Sequence, residues 1–509
     1  MTWTIAAIIL VVLTAAVWFL QLGRRESYLP PGPPTLPVLG NIHIFPTKYP
    51  HYRFTEWARQ YGTIYSLKIG SQTAVVLNTM EHVRELLDRR NATTANRPRN
   101  YVLGMVEKQE ALAYSPAAGA LWRAQRKIAN SILNPSSLPS HLPIQYAEVS
   151  QMLNDILHKP EDLCNHLNRY TFSVTTSIIY GKRCPSSTTR EMVTFYEIQH
   201  TLAALASPGT VPPVDKLPIL AYIPERWAPW KKLAKEIRQM QRVLYSGLFE
   251  ECERRITNTE DSNGCFVDDL LGQADKHGMD RKTNVTTSSL LKSLVLLLVE
   301  SPEVQRKAYE EVDRVVGTQR APVLDDYKHL PYVDAIIKEV QRLRPVVPLG
   351  LPHEASATEE YLGYAIPKNT TIFANVYGIN HDPEYFDDPE SFRPERYLLT
   401  EHGTKPGVDD RSFRADIGFG FGRRACPGIN LAKNSVALVV MNLIWAFEFK
   451  PLLNPKTGNE VAVALSEYEE GLIFTPKSFQ CRISPRNKHV VDTIGLQYRE
   501  AAETFSKFK

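Results

Sequence analysis

The chain has 509 residues, of which 43% are hydrophobic, and a formal net charge of +4. That is enough apolar material for a large buried core and too little positive charge to argue for nucleic acid. Its six cysteines (Cys164, Cys184, Cys252, Cys265, Cys426 and Cys481) are scattered. They form neither a zinc spacing nor a dense disulfide framework, which suits a reducing compartment.

The first stretch, "MTWTIAAIILVVLTAAVWFLQLG", carries no charged side chain before Arg24 and is long enough to cross a bilayer as a helix. It lacks the basic start and small-residue cleavage site of a signal peptide. Arg24 and Arg25 follow at once, so the positive-inside rule leaves the rest of the chain in the cytosol. The expectation is a single-pass endoplasmic reticulum protein with an anchor at 1–23. A stiff proline-rich linker at 24–41 ("LPPGPPTLPVLGN") would space the anchor from the globule. The sequons at Asn91, Asn284 and Asn369 then lie on the wrong side of the membrane for glycosylation.

"GTIYSLKIGSQTAVVLNT" (Gly62 to Thr79) has two β-rich runs around a Gly-Ser turn and predicts a hairpin. Some three hundred residues of mostly helical pattern follow. Within them, "SPEVQRKAYEEVDRVVG" shows a serine cap, Pro302 at the first position and a closing glycine. "TEEYLGYAIPKNTTIFANVYGI" predicts short strands and "GLIFTPKSFQCRI" a last strand pair. The tail, 488–509, reads as a short amphipathic helix. The fold class is α+β, mostly helical, with one large domain at 42–487.

The chemistry concentrates in "FGFGRRACPG", Phe419 to Gly428. A free cysteine is commonly an inert buried hydrophobe, but these neighbours are unusual. Glycines let backbone approach a flat ligand closely, and arginine forks suit carboxylates. "CPGINLAKNSVALVVMNLIWAF" reads as a helix with Pro427 in its first turn. The sulfur would sit where a helix N-terminus favours a thiolate. A thiolate facing a flat, carboxylate-bearing cofactor suggests haem.

Three further stretches complete the pattern: "KEVQRLRP" with Glu339 and Arg342, "FRPERY" with Arg396, and "LWRAQRK" with Trp122 and Arg126. Phe419, Gly422, Arg424, Cys426 and Gly428 fit F-x-x-G-x-R-x-C-x-G, a match expected by chance roughly once in ten thousand such chains. Glu-x-x-Arg occurs at least six times, from Glu56, Glu81, Glu251, Glu303, Glu311 and Glu339, and only the last lies in an apolar helix upstream of the cysteine. "PERW" at Pro224 precedes that helix and is read as a decoy of "PERY" at Pro394. In this order the stretches resemble the cytochrome P-450 superfamily of haem-thiolate monooxygenases, most closely the microsomal-type fungal enzymes of secondary metabolism.

The resemblance implies the P-450 fold with small β-sheets and haem b, its iron ligated axially by the thiolate of Cys426 and packed beside Phe419. It implies that Trp122, Arg126 and Arg424 meet one haem propionate and His353 the other. Glu339, Arg342 and Arg396 would form a buried structural network. The implied reaction inserts one atom of O2 into a lipophilic small molecule, with electrons from a membrane-bound NADPH–cytochrome reductase. Arg123, Lys127 and Lys433 are candidates for that partner's docking face. "YVLGMV", "VVPLGL" and "EEGLIF" are the candidate substrate-facing stretches.

One departure stands out. The family's (Ala/Gly)-Gly-x-(Asp/Glu)-Thr motif, on the helix that crosses the haem, is met here only by Thr286 and Thr287. Val285, Asn284 and Thr283 replace the acid and glycines. From Thr286 to Glu300 the surviving helix reaches only about 22 Å at 1.5 Å per residue. Thr286 is the candidate hydroxyl beside bound oxygen. The expectation is that a dozen or more residues present in working relatives are missing here, by an omitted exon or a misread splice site. Two other functions stay open: a haem-thiolate dehydratase or isomerase needing no reductase, and a catalytically impaired haem- or lipid-binding membrane protein.

Overall fold

The hairpin forms as its alternation predicts: β1 (Ile64–Ile69) pairs antiparallel with β2 (Gln72–Leu77) across Gly70 and Ser71. The computed structural model describes residues 21–508 except 109–110, 118, 207–210, 213, 216–217, 260–263 and 269–282. Of the first twenty it describes only 3, 5, 7, 9–11 and 13–14. The expected anchor therefore lies mostly outside the described residues. Those described are helical, and Trp3, Ile5, Ile9, Leu10, Val11 and Leu13 are exposed.

The stretch expected as a stiff spacer, 24–41, is docked on the globule. Arg25 donates to Ser66 Oγ and to the carbonyls of Gly32, Pro33 and Ser66, at 2.8–3.0 Å. Asn41 donates to the Pro33 and Pro34 carbonyls, and its Oδ1 accepts from the Lys68 N–H at 2.8 Å. The Ser66 N–H reaches the Pro31 carbonyl, and the Asn41 N–H the Lys68 carbonyl. Proline stiffness remains, but these bonds fasten the segment along β1.

Ahead of the hairpin, helix α1 (Pro50–Tyr61) seats Phe54 and Trp57 against the sheet and stops at Gly62, whose φ of +105° a side chain would resist. Next come α2 (Tyr101–Glu107), α3 (Ala120–Leu133), α4 (Leu138–His158), α5 (Leu163–Tyr180), α6 (Arg190–Ala206) and α7 (Pro229–Thr259). After them run α8 (Thr283–Val299), α9 (Pro302–Val315) and α10 (Pro331–Leu343). Strands β3 (His353–Glu354) and β4 (Thr371–Ala374) complete the first sheet in the order β1-β2-β4-β3, with β2 and β4 parallel.

Helix α11 (Ile429–Ala446) is apolar almost all round, the mark of an interior helix. Among the described residues it alone has the length and hydropathy to cross a membrane, yet 72% of it is buried in the globule. Helices α4, α5, α8, α9 and α10 pack with it in one core. On α9, Val304, Ala308 and Val312 face inward at helical spacing, and Gly317 closes the helix, while the Ser301 side chain makes no capping bond.

The expected strand pair in Gly471 to Ile483 does not form. Residues 471–481 are irregular apart from an isolated bridge between Tyr468 and Pro476. The following strand β6 (Arg482–Pro485) pairs instead with β5 (Phe447–Lys450), which leaves α11 directly. Pro476 has no N–H to give a ladder. The tail expectation is met by helix α12 (Lys488–Ser506), which lies against α4 with Val490, Ile494 and Ala501 buried. Ile494 is fully buried, so Ile494→Ala should cost about 2–5 kcal/mol of unfolding free energy. A loss below about 0.5 kcal/mol in a denaturant titration, the range of surface substitutions, would show that α12 does not dock.

Candidate active site

Two short 3-10 turns, Ile417–Phe419 and Gly422–Arg424, shape the loop that carries Cys426. The Cys426 N–H donates to the Phe419 carbonyl at 2.7 Å, which folds the loop back on itself. Cys426 is partly exposed. Helix α11 begins at Ile429 with Gly428 as its cap, so Pro427 lies in the turn before the helix, outside the first turn expected for it. Cys426 still stands just ahead of the helix's positive end.

Gly422 has a φ of +50°, and a Cβ there would come within 2.3 Å of the Leu87 carbonyl, so only glycine fits. Its N–H donates to Asp88 Oδ1 at 2.8 Å. Arg414 pairs with Asp88 at 3.3 Å, donates to the Gly420 carbonyl and lies 5.0 Å from the Phe421 ring. Asp88 and Arg414 thus clamp the loop. Sequence reasoning missed both, because Asp88 is far away along the chain and belongs to no motif.

Three arginines converge beside the loop. Arg424 donates to the carbonyls of Ala95, Leu112 and Ser115 and stands 4.6 Å from the Trp122 ring. Arg126 donates to the Ala425 carbonyl at 2.6 Å. Arg97, also missed in the sequence, donates to the carbonyls of Ala113, Leu351 and Pro352 at 2.7–2.9 Å. None of the three forms an ion pair with a carboxylate among the described residues. Burial, and then the charges of Arg97 and Arg126, push Arg424 down to about 9. Burial pushes Arg97 down to about 10. Burial also lowers Arg126, while nearby Cys426 acts in the opposite sense. Like charges, two of them buried, held by carbonyl dipoles fit a group bearing more than one carboxylate.

His353 is buried, and its Nδ1 lies 2.9 Å from the Thr94 carbonyl, so that nitrogen is the donor. Burial first, then Arg97, push its pKa down to about 3. With Nδ1 turned to the Thr94 carbonyl, Nε2 is the ring nitrogen left to face a ligand. Arg97 stands close enough to His353 for its charge to bear on the ring.

Glu339, Arg342 and Arg396 are brought together, all buried. Arg342 grips Glu339 through two bonds of 2.8 and 2.9 Å, and Arg396 adds a third at 3.1 Å. The Arg393 N–H also donates to Glu339. The remaining guanidinium donors go to the carbonyls of Asn380, Asp387, Asp388, Pro389 and Ser391. By contrast, Glu303 and Arg306 pair in solvent, and "PERW" puts Trp227 and Glu225 at the surface. Glu339→Gln should therefore cost about 3–5 kcal/mol by leaving buried guanidinium charge without its counter-ion. An unfolding free energy unchanged within about 0.5 kcal/mol would mean that solvent screens the trio.

Thr286 is partly buried on α8, which packs on α5, α10 and α11. Two of the expected substrate-facing stretches meet next to this helix. Phe474 N–H donates to the Val346 carbonyl at 2.8 Å, Ser289 bonds the Thr475 hydroxyl, and Tyr468 bonds Ser293. The third stretch forms α2 and packs elsewhere, its Val102 and Val106 in the cluster built by α6 and α7. Of the candidate docking cations, Arg123 and Lys127 are exposed, and Lys433 pairs with Asp416 at 2.6 Å.

A family model described as Cytochrome P-450 matches residues 30–474. A cytochrome P-450 monooxygenase of Armillaria gallica is 39% identical, over 98% of this chain and 97% of its own. The monooxygenase ple5B of Rhodocybe pseudopiperita is 37% identical over 93% of each chain. The monooxygenase atE of Aspergillus terreus is 35% identical, over 99% of this chain and 96% of its own. The chain belongs to the cytochrome P-450 family of monooxygenases, which use haem with a cysteine thiolate as its axial ligand.

Proposed function

We propose that this chain is a membrane-anchored monooxygenase that oxidises a small lipophilic metabolite, with Cys426 as the haem ligand and an NADPH–cytochrome reductase as electron donor. The observation that carries the reading is the cluster of Arg97, Arg126 and Arg424 beside the Cys426 loop, the first and last buried and Arg126 partly buried, none with a carboxylate partner among the described residues. These arginines would hold the two propionates, and Trp122 would keep the Arg424 guanidinium flat against its ring. The clamp of Asp88 and Arg414 would hold the cysteine loop in place, and the Phe419 carbonyl would fix the Cys426 backbone. When bound, a haem with thiolate ligation supplies oxygen activation strong enough to attack unactivated C–H bonds. Thr286 is the candidate to hold a proton near that chemistry. The apolar stretch Val346 to Leu351 and the segment Glu469 to Phe474, next to α8, would line the substrate side. The exposed apolar residues near the amino terminus support an anchor in the endoplasmic reticulum membrane, with the globule in the cytosol. Cys426→Ala should abolish the red-shifted Soret band of the reduced, carbon monoxide-bound protein. Persistence of that band in the variant would sink the assignment.

A second reading has its own support: the chain is a shortened and impaired version of such an enzyme. The alignment with the Aspergillus terreus relative runs over 525 positions, more than the 509 residues of this chain. The alignment therefore opens gaps on this chain's side. Val285 stands where the family's acid precedes the threonine, and general acid–base groups typically contribute about 10²–10⁴-fold. Product formed per NADPH should accordingly be low for this chain with its reductase. Sequencing the native transcript across codons 280–290 should reveal the omitted residues. An unchanged transcript together with efficient coupling of NADPH to product would remove the defect.

A further inference from the structure

Cys252, near the end of α7, meets Cys265 and Asp268 in the protein interior, and one ligand atom of each lies within 4.8 Å of the others. All three residues are buried. Arg255 donates to Cys265 Sγ at 3.3 Å and to Asp268 Oδ1 at 2.7 Å. The Cys252 thiol donates to the Tyr180 carbonyl at 2.9 Å. The spacing Cys-x12-Cys-x2-Asp matches no familiar zinc pattern, which is why the sequence did not disclose the cluster. The ordinary account is a thiol pair packed beside an Arg–Asp ion pair. It leaves unexplained why two thiols, a carboxylate and a cation share one small interior volume.

We propose that Cys252, Cys265 and Asp268 form a structural zinc site, with the Tyr180 carbonyl or a water in the fourth position. Thiolates select a borderline-soft cation such as zinc over magnesium or calcium. Two thiolates on one tetrahedral zinc, each about 2.3 Å from the metal, stand about 3.8 Å apart, inside the observed spacing. Charge balance supports the same ion. Counting these four side chains alone, two neutral thiols and the Arg255–Asp268 pair sum to zero without metal. With zinc, two thiolates and a carboxylate carry three negative charges, which Zn²⁺ and Arg255 cancel. Binding thus exchanges two thiol protons, released to solvent, for one divalent cation at constant net charge. Arg255 already makes the bonds to ligand sulfur and carboxylate that outer partners make at such sites. The site would staple the end of α7 to the segment that precedes the approach to α8. It is distinct from Cys426, which lies on another loop.

The test uses the full-length, haem-loaded protein in detergent, equilibrated with Zn²⁺ against a chromophoric chelator. One zinc per chain should survive the competition, and Cys252→Ser/Cys265→Ser should weaken it at least about tenfold, the scale on which even outer partners act. Zinc K-edge absorption on the unmodified protein should find two sulfur neighbours at about 2.3 Å, a readout independent of whether the variants fold. Three results would each overturn the proposal: no zinc retained, equal retention by the double variant, or a Cys252–Cys265 disulfide in the freshly isolated protein.

Discussion

Positive charge placed in a protein interior has to be met by something, and the Cys426 loop is built around three guanidinium groups that no side-chain anion meets among the described residues. Arg97, Arg126 and Arg424 are held by main-chain oxygens drawn from four distant stretches: Ala95, Leu112 to Ser115, Leu351 and Pro352, and Ala425. A carbonyl carries only a partial charge, so it orients a guanidinium without neutralising it. The depressed basicity of Arg97 and Arg424 records that shortfall. The same bonds that hold the cations apart also draw these four stretches together, so the shape of the site and its surplus of positive charge have one origin.

The Glu339 network solves the opposite problem. There a single carboxylate is surrounded by two guanidinium groups and a backbone N–H, and the surplus donors turn to carbonyls along 380–391. The carboxylate cancels one of the two guanidinium charges directly, which no side chain does for the arginines beside Cys426 among the described residues. Arginine serves both places for one reason: its fork offers five N–H groups and keeps its charge at neutral pH even where burial lowers its basicity. Whether a given arginine awaits a partner or already has one is decided by the side chains around it.

This difference marks how far the sequence could be read. Cys426, Glu339, Arg342 and Arg396 were legible because each sits in a short pattern whose order along the chain carries information. Pro302 and the closing glycine placed α9, the three-residue spacing of Glu339 and Arg342 placed α10, and the Gly-Ser turn placed the hairpin. Arg97, Asp88 and Arg414 were not legible, since their partners are far along the chain and become neighbours only through the fold. His353 was legible as a position but not in its state, because burial and the Thr94 carbonyl set which nitrogen bears the proton. Strand β6 was misjudged for a related reason: its partner follows directly from α11, and no local pattern announces a pairing across that distance.

The docked proline-rich segment has a consequence for the whole sheet. β1 is an edge strand, and an edge is a template on which another chain's strand can add. Here its outward groups at Ser66 and Lys68 are already occupied, the amides by the Pro31 carbonyl and Asn41 Oδ1, the carbonyls by Arg25 and the Asn41 amide. The covering segment cannot hand the ladder on. Pro30, Pro31, Pro33 and Pro34 have no N–H of their own, so a further strand approaching from that side finds few donors. Sheet growth is hindered at this border, which is a form of protection against self-association.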